Sequence, residues 1–175
     1  KTIVIGAMGR FVKKKGFDLL IQVMQSYQEN QKVKLLIAGD GPLMQNYKNL
    51  IKNNKNIQLL GWVKDKESFF SKIDIFCSPS KIEPFGIVIL EAMARGIPVI
   101  STRCHGPLDI IKNNKNGILI NINNEHEMKS AIDLLKNNAE IRKNISKNGL
   151  DTIKYKYTIE AYKKNLFSLL NDVLK

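Results

Sequence analysis

Short apolar runs alternate with stretches of helical periodicity along the chain. The apolar runs predict strands at residues 2–7, 33–38, 57–60, 73–77, 99–101 and 118–120. Between and after these runs, hydrophobic residues recur every three or four positions, which predicts helices at about 17–28, 42–53, 66–71, 87–94, 107–111, 125–136, 140–147 and 159–174. Near-continuous apolar strands that alternate with helices are typical of a parallel sheet covered on both faces. We therefore predict an α/β fold: a single Rossmann-like, doubly wound domain over residues 1–175, with about six strands.

The stretch from Ser78 to Pro98 concentrates the unusual features of the chain. It predicts a loop, a short buried helix and a buried strand, and Glu91 is the only charge in the apolar run 87–94. A carboxylate in a buried helix is costly unless another group pairs with it. Glu83 lies eight positions earlier, just before the helix begins. Two acids thus bracket a helix N-terminus, where free N–H groups favour an anion, and packing alone does not call for this arrangement.

Four loops follow strands and are expected at the carboxyl edge of the sheet, where doubly wound folds bind ligands. They are residues 9–16, 39–42, 61–64 and 78–86. The first loop has neither a dinucleotide fingerprint nor a P-loop pattern, but it carries Gly9, Arg10 and Lys15. An arginine fork and a mobile lysine suit phosphate oxygens, so these cations could hold a diphosphate without a metal. We expect Lys13 and Lys14 to be solvated.

Other loop residues carry weaker signals. Residues 39–42 make a good turn and indicate no chemistry by themselves. Trp62 follows a strand and is expected to pack rather than to stack on a base. His105 is expected to be a turn residue, and His126 receives no role.

The charge and the cysteines limit the function classes. The net charge of +12 raises the question of nucleic acid or anionic lipid, but lysines cluster with asparagines in turn-like segments such as 52–56 and 112–116. Arginine clusters and interleaved aromatic residues are missing from the sequence, so we expect no nucleic-acid partner, while a weak attraction to an acidic membrane surface stays open. No apolar run reaches the roughly 20 residues of a membrane span, and no signal peptide is expected. Cys77 and Cys104 have no metal-ligand spacing and are expected to be buried free thiols, so no metal site is predicted.

Taken in order, the loop motifs resemble those of one family. The motifs are Arg10 with Lys15, residues 39–42, 60–63, 74–76 and 78–80, and finally 83–86 continuing through 91–94. They resemble the C-terminal, donor-binding half of the group 1 (family 4) retaining glycosyltransferases of the GT-B fold. The resemblance covers nearly the whole chain. Its most specific part is the pair of glutamates with seven residues between them.

The resemblance implies a role for each motif residue. Glu91 would accept hydrogen bonds from the ribose hydroxyls of a nucleotide, and Glu83 would hold hydroxyls of the donor sugar. Arg10 and Lys15 would grip the diphosphate and steady it as it leaves, so that these two cations and Glu83 form the catalytic set. Gly9 would lie where the loop passes the phosphates.

Further contacts implied by the resemblance come from the backbone. The N–H groups expected near the sugar and the phosphates are those of Phe85, Gly86, Ile87 and Val88. Gly86 would let the backbone approach closely. The base would meet backbone groups near Val63.

The implied activity is transfer of a sugar from a nucleotide-diphosphate sugar to an acceptor hydroxyl, with retention of the anomeric configuration. Residues 105–111 resemble a variant found in enzymes of polysaccharide, lipopolysaccharide and glycoprotein glycan assembly, which favours a UDP-sugar donor and a surface glycan or lipid-linked acceptor. No cofactor and no metal are implied. The place of work would be the cytoplasm, at the inner face of the membrane.

A GT-B enzyme closes two domains over its substrates, and only one is present in this sequence. The resemblance therefore implies a missing N-terminal acceptor domain, and we expect this chain alone to bind donor weakly and to transfer nothing. The helix at 159–174 would cross back to the other domain. Its apolar residues would then be partly exposed, with self-association as a consequence: Ile159, Tyr162, Leu166, Leu169, Leu170 and Val173.

Three other interpretations remain open. A nucleotide-sugar epimerase or hydrolase of related architecture would need its own acids in two domains. A non-catalytic nucleotide-sugar binding module would bind its ligand tightly without a second domain. A plain interaction domain with a Rossmann core would show no response to nucleotides, and replacing Glu91 would change only its stability.

Overall fold

The computed structural model describes residues 2–28, 31–52 and 54–173. Six strands form one sheet: β1 (Ile3–Met8), β2 (Val33–Ala38), β3 (Ile57–Gly61), β4 (Ile75–Ser78), β5 (Val99–Thr102) and β6 (Ile118–Ile120). Their order is β3-β2-β1-β4-β5-β6, and every neighbouring pair is parallel. This is the doubly wound order, in which the chain reverses direction across the sheet between β1 and β4. The predicted parallel sheet is confirmed.

Within the described part of the chain, eight helices and a short 3-10 turn connect and flank the strands. The turn is Lys13–Lys15, and the helices are α1 (Phe17–Gln25), α2 (Met44–Ile51), α3 (Lys66–Phe70), α4 (Ile87–Met93), α5 (His105–Ile110), α6 (Glu125–Asn137), α7 (Ala139–Lys156) and α8 (Ile159–Val173). Most predicted ends agree to within a few residues. The predicted ends at Asn53 and Leu174 lie outside the described residues.

Two buried clusters cover the two faces of the sheet. One packs α1, α2 and α6 against residues such as Ile5 and Leu35, and the other packs α3, α4 and α5 around Phe76 and Val99. Helices therefore lie on both faces, as predicted. Cys77 is a buried free thiol in the centre, and its burial raises the pKa of the thiol well above its usual range.

Helix α7 is longer than the sequence indicated. The helix was predicted to end at Lys147, two residues before Gly149. In the structure the helix continues to Lys156, and Gly149 is buried where α7 crosses α4. A Cβ at this position would lie 3.6 Å from the Met93 side chain, which is ordinary van der Waals contact, so the helix crossing leaves room for a small side chain there.

The last helix, α8, exposes apolar side chains, as predicted. The exposed large ones are Ile159, Tyr162, Leu166, Phe167 and Leu170. The side chains of Leu169 and Val173 lie outside what the structure describes. Among the described residues, no helix is both long and apolar enough to cross a membrane.

Candidate functional site

The loop after β1 is held against the turn after β2. The Phe11 N–H donates to the Asp40 carbonyl at 2.8 Å, and the Leu43 N–H donates to the Phe11 carbonyl at 3.1 Å. Gly39 has a φ of 146°, and a Cβ there would collide with the Gly9 carbonyl oxygen. The 39–42 turn, a weak signal in the sequence, thus fixes the path of the loop that carries the candidate phosphate ligands.

Phe11 anchors this loop and leaves its neighbour Arg10 outside. The Phe11 ring is fully buried and meets Phe17 and Tyr47 edge to face, with centroids 5.6 and 5.3 Å away. Arg10 is exposed, and its guanidinium has no hydrogen bond or ion pair with any residue that the structure describes. The cation is therefore free to bind an anion from solution.

The loop after β4 packs directly on the loop after β1. The Lys14 carbonyl accepts hydrogen bonds from the Lys81 N–H at 2.8 Å and the Ile82 N–H at 3.3 Å. Gly16 has a φ of 65°, and a Cβ there would collide with the Pro79 carbonyl oxygen. The two loops therefore form one continuous surface at the carboxyl edge of the sheet.

Lys15 and Glu83 meet on this surface. The Lys15 ammonium forms an ion pair with Oε2 of Glu83, and the Ser80 hydroxyl donates to the same oxygen at 3.4 Å. Both charged side chains are mostly buried, with 19% and 15% of their surface exposed. Two predicted site residues that lie 68 positions apart are thus brought together.

Hydrogen bonds from residues at the end of β5 and just after it hold the segment that carries Glu83. The Thr102 hydroxyl donates to the Ser80 carbonyl, and the Gly106 N–H donates to the Glu83 carbonyl at 2.9 Å. A Cβ on Gly106 would collide with the backbone of Phe85. The sequence analysis missed both supports, although a glycine at the start of a predicted helix was a visible signal for close backbone approach.

The segment before α4 presents a row of free backbone donors. Gly86 adopts a φ of 97°, which favours glycine. Four N–H groups donate no hydrogen bond to any described residue, namely those of Phe85, Gly86, Ile87 and Val88. They follow directly after Glu83 and face no protein acceptor in the described part of the chain.

Helix α4 is only partly buried, although the sequence predicted a buried helix. Phe85 and Ile87 are 53% and 61% exposed, whereas Ile89, Ala92 and Met93 are buried. Some apolar side chains of residues 87–94 face the core and others face solvent, and the apolar sequence pattern alone does not tell which. The exposed side lies at the open edge of the sheet, next to the candidate site.

Glu91 has a partner that the sequence did not reveal. Its Oε1 lies 2.7 Å from the Lys66 ammonium, on α3. Its Oε2 is buried and has no hydrogen-bond partner among the described residues. One side of this carboxylate is therefore satisfied by the protein and the other is not.

The loop after β3 places its two candidates differently. Val63 is half-buried and packs against the second core cluster. Trp62 is 75% exposed. The expectation that Trp62 packs was wrong, since most of its side chain lies in solvent.

No cluster of three or more potential metal ligands occurs within residues 2–28, 31–52 and 54–173. The candidate residues are instead two cations, two carboxylates and backbone N–H groups, of which the structure brings Lys15 and Glu83 into contact. Such a set suits an anionic ligand that also carries hydroxyl groups.

The family model described as "Glycosyl transferases group 1" matches residues 1–152. The chain belongs to the group 1 glycosyltransferases. Over 170 residues it is 31% identical to the lipopolysaccharide core biosynthesis glycosyltransferase LpsE of Rhizobium meliloti, covering 95% of this chain and 49% of that protein. The chain thus spans about half the length of the curated relatives it matches.

Solved structures agree with this membership. The crystal structure of the C-terminal domain of the group 1 family protein LpcC from Francisella tularensis superposes with a TM-score of 0.81 at 28% identity, covering 90% of this chain and 87% of that one. A complex of the S. aureus TarM G117R mutant with fondaparinux, α-GlcNAc-glycerol and UDP superposes with a TM-score of 0.86 at 28% identity, covering 97% of this chain and 36% of that one. The predicted fold and family are confirmed.

Proposed function

We propose that this chain is the donor-binding domain of a glycosyltransferase and that its ligand is a UDP-sugar. The observation that carries the proposal is the meeting of Lys15 and Glu83 beside free N–H donors, on the surface that also carries Arg10. A diphosphate needs cations and N–H donors, and a sugar needs a carboxylate that accepts from its hydroxyls. UDP in the TarM complex supports the choice of nucleotide.

Each site residue receives a role in this proposal. Arg10 and Lys15 bind the diphosphate, Glu83 accepts from hydroxyls of the donor sugar, and Glu91 accepts from the ribose hydroxyls. The N–H groups of residues 85–88 lie near the sugar and the phosphates, Gly9 lets the loop pass the phosphates closely, and the backbone at Val63 meets the base.

The unpartnered Oε2 of Glu91 supports the proposed role of this residue. A buried acceptor without a donor is costly, and a ribose hydroxyl supplies the donor once the carboxylate turns.

We propose that the full enzyme transfers the sugar with retention to an acceptor hydroxyl of a surface glycan or a lipid-linked precursor. The bond from the anomeric carbon to the β-phosphate oxygen breaks, a bond to the acceptor oxygen forms, and the hydroxyl proton moves to the departing phosphate. Negative charge grows on the diphosphate during this step. In this proposal Arg10 and Lys15 stabilise that charge, which lowers the barrier.

We also propose that an N-terminal domain completes the enzyme and supplies the acceptor site. The length of the relatives and the likeness to a C-terminal domain support this division. The net charge of +12 supports work at the cytoplasmic face of an acidic membrane. On this basis the 175 residues alone bind donor weakly and transfer no sugar.

The test is thermal unfolding of the chain with UDP, GDP, ADP and their sugars. A ligand at about 100 times its dissociation constant adds about 2.7 kcal/mol, which raises the Tm by several degrees at roughly 2–4 °C per kcal/mol. We expect UDP and a UDP-sugar to raise the Tm, and Glu91→Gln to abolish most of the rise. Glu67→Gln is the matched control, because Glu67 pairs with Arg95 between the same two helices and has no role in the proposed site.

The proposal would be contradicted if no nucleotide at millimolar concentration raised the Tm, either of the chain or of a longer form that includes the second domain. A rise that Glu91→Gln leaves unchanged would place the ribose elsewhere. Very tight binding by the chain alone would favour the non-catalytic binding module instead.

A further inference from the structure

Two ion pairs join α3 to α4 side by side. The Lys66 ammonium lies 2.7 Å from Oε1 of Glu91, and the Arg95 guanidinium pairs with the Glu67 carboxylate. Neighbouring residues of α3 thus bind Glu91 on α4 and Arg95, which lies two residues beyond the end of that helix. The first pair involves Glu91, the residue proposed to bind the ribose, whereas the second pair lies one turn further along the chain.

The position of Lys66 is set by an anchored helix. The Asp65 side chain caps α3 by accepting from the Ser68 N–H at 3.1 Å. Phe69 and Phe70 are buried, each 2% exposed, which fixes the helix in the core. Lys66 therefore stands at the first position of a helix that has little freedom to move relative to α4.

The position of Glu91 is fixed in the same way. Ala92 and Met93, which follow it on α4, are buried, and the Arg95 guanidinium donates to the Glu91 carbonyl at 2.7 Å. Only the side chain of Glu91 remains to be oriented, and among the described residues Lys66 is the group that binds its carboxylate. Removal of Lys66 would leave a half-buried carboxylate with neither oxygen paired.

We propose that Lys66 is a positioning residue that holds the Glu91 carboxylate toward the ribose and thereby makes the site selective for ribonucleotides over 2′-deoxyribonucleotides. This inference rests on the proposed function of the site. Lys66 binds Oε1 through one of its lone pairs, which leaves a lone pair on Oε1 for one ribose hydroxyl. The buried Oε2 meets the second hydroxyl once the carboxylate turns about its contact with Lys66.

Electrostatics gives Lys66 a second effect on the same ligand. A nucleoside diphosphate is strongly anionic, and a nearby carboxylate repels it. The Lys66 ammonium offsets the charge of Glu91 without occupying both of its oxygens. An oriented and neutralised carboxylate also loses less freedom when the ligand binds, which favours affinity.

The experiment compares the dissociation constants of UDP and 2′-deoxy-UDP, measured by calorimetry on the chain. The variants are Lys66→Met, Lys66→Arg and Glu67→Gln. We expect the unchanged chain to prefer UDP, and Lys66→Met to weaken UDP binding about tenfold while weakening 2′-deoxy-UDP much less. Lys66→Arg should keep most of the preference, since the cation is restored. Glu67→Gln breaks the neighbouring ion pair and should leave the ratio unchanged.

The outcomes separate this inference from the proposed function. If UDP binds and Glu91→Gln weakens it, but Lys66→Met leaves the ratio intact, the positioning role is wrong and the site stands. If Lys66→Met tightens UDP binding, Lys66 competes with the ribose and the inference is also wrong. If neither the unchanged chain nor a longer form that includes the second domain binds UDP, both fail together. An equal loss for both nucleotides in Lys66→Met and in Glu67→Gln would mean a structural contribution only, and would also overturn it.

Discussion

The Lys15 ammonium and the Glu83 carboxylate form an ion pair that joins the loops after β1 and β4, across 68 positions of the chain. Both groups belong to loops whose backbones are hydrogen-bonded to each other through the Lys14 carbonyl. The ion pair therefore lies at the point where the doubly wound sheet changes direction, which is where such sheets bind ligands. In the free domain Glu83 neutralises Lys15, a cation that we propose binds the diphosphate of the donor.

The pair should show measurable coupling in a double-mutant cycle. We expect Lys15→Met and Glu83→Gln to be coupled by about 1–2 kcal/mol in the free energy of unfolding, because both side chains are mostly buried and Ser80 supports the carboxylate. Urea unfolding of the two single variants and the double variant measures this energy.

The matched control for this cycle is the ion pair of Lys81 with Asp18. Its charged atoms are 3.7 Å apart and its side chains are 36% and 48% exposed. Solvent screens such a pair, so we expect a coupling of about 0.5 kcal/mol or less. Equal coupling in the two pairs would show that burial does not strengthen the contact of Lys15 with Glu83.

Gly106 should be intolerant of any side chain. A Cβ there would collide with three backbone atoms of Phe85, which cannot move without displacing Glu83. We expect Gly106→Ala to destabilise the chain by about 1–3 kcal/mol and to weaken nucleotide binding beyond that loss of stability. Thermal unfolding with and without UDP measures both effects.

Gly149→Ala provides the opposite case. Gly149 lies inside α7, and the nearest atoms to its Cβ would be 3.6 Å away, which is ordinary contact. We expect a change between neutral and about 1 kcal/mol more stable, because alanine favours a helix. Destabilisation by Gly149→Ala as large as that by Gly106→Ala would contradict the steric argument for Gly106.

The sheet was predictable from the sequence because its signal is local. Each strand is a short apolar run bounded by glycines or polar residues, and a parallel, doubly wound order follows from alternation with helices. Glu83, Glu91 and Lys15 were also predictable, since an isolated charge in an apolar run and a family motif both stand out in the sequence. Their assigned roles remain predictions.

The contacts that hold these residues in place were not predictable. Lys66 pairs with Glu91 across 25 positions, and nothing near Lys66 distinguishes it from the many other lysines. Thr102 and Gly106 act on the loop of Glu83 only after β5 has docked beside β4. Exposure of Ile87 was missed for a similar reason, because an apolar side chain next to a site has the same sequence pattern as one in the core.

Tyr47 offers a stabilising substitution. The residue is 2% exposed, and its hydroxyl has no hydrogen-bond partner among the described residues. We expect Tyr47→Phe to raise stability by about 1 kcal/mol at neutral pH, because it removes a buried unsatisfied group and keeps the ring contact with Phe11. Thermal unfolding should show a Tm higher by roughly 2–4 °C.

The pH dependence gives a second measurement on Tyr47. Burial, with a smaller contribution from Asp18, raises the pKa of Tyr47 from 10.0 to about 12. A raised pKa means that the folded state resists ionisation, so the stability of the unchanged chain is lost as pH rises from about 10 toward 12. The advantage of Tyr47→Phe should therefore grow in this window.

Tyr27→Phe is the matched control for Tyr47→Phe. The Tyr27 hydroxyl is bonded to Asp133 at 2.8 Å, so its removal should destabilise the chain by about 0.5–1.5 kcal/mol. If both substitutions change stability in the same direction, hydrogen bonding of the hydroxyl does not decide the outcome.

The exposed apolar face of α8 should drive self-association of the chain. Tyr162 and Phe167 are 65% and 64% exposed, and they lie beside Leu166 and Leu170. Contiguous apolar surface of this kind marks a contact that the isolated domain does not make. We expect sedimentation velocity to show concentration-dependent association, and Tyr162→Glu with Phe167→Glu to abolish it. The Tm should change little, because exposed substitutions alter stability by about 0.5 kcal/mol or less.

A charge-matched control separates loss of apolar surface from added negative charge. Lys163→Gln with Lys164→Gln lowers the net charge by two, as Tyr162→Glu with Phe167→Glu does, and keeps the exposed apolar side chains. We expect this variant to associate as the unchanged chain does. If it becomes monomeric as well, charge rather than apolar contact governs association. If the second domain covers the apolar face of α8, adding that domain should suppress self-association of the unchanged chain. Tyr162→Glu with Phe167→Glu should then weaken binding between the two domains. UDP binding by the chain alone should stay intact.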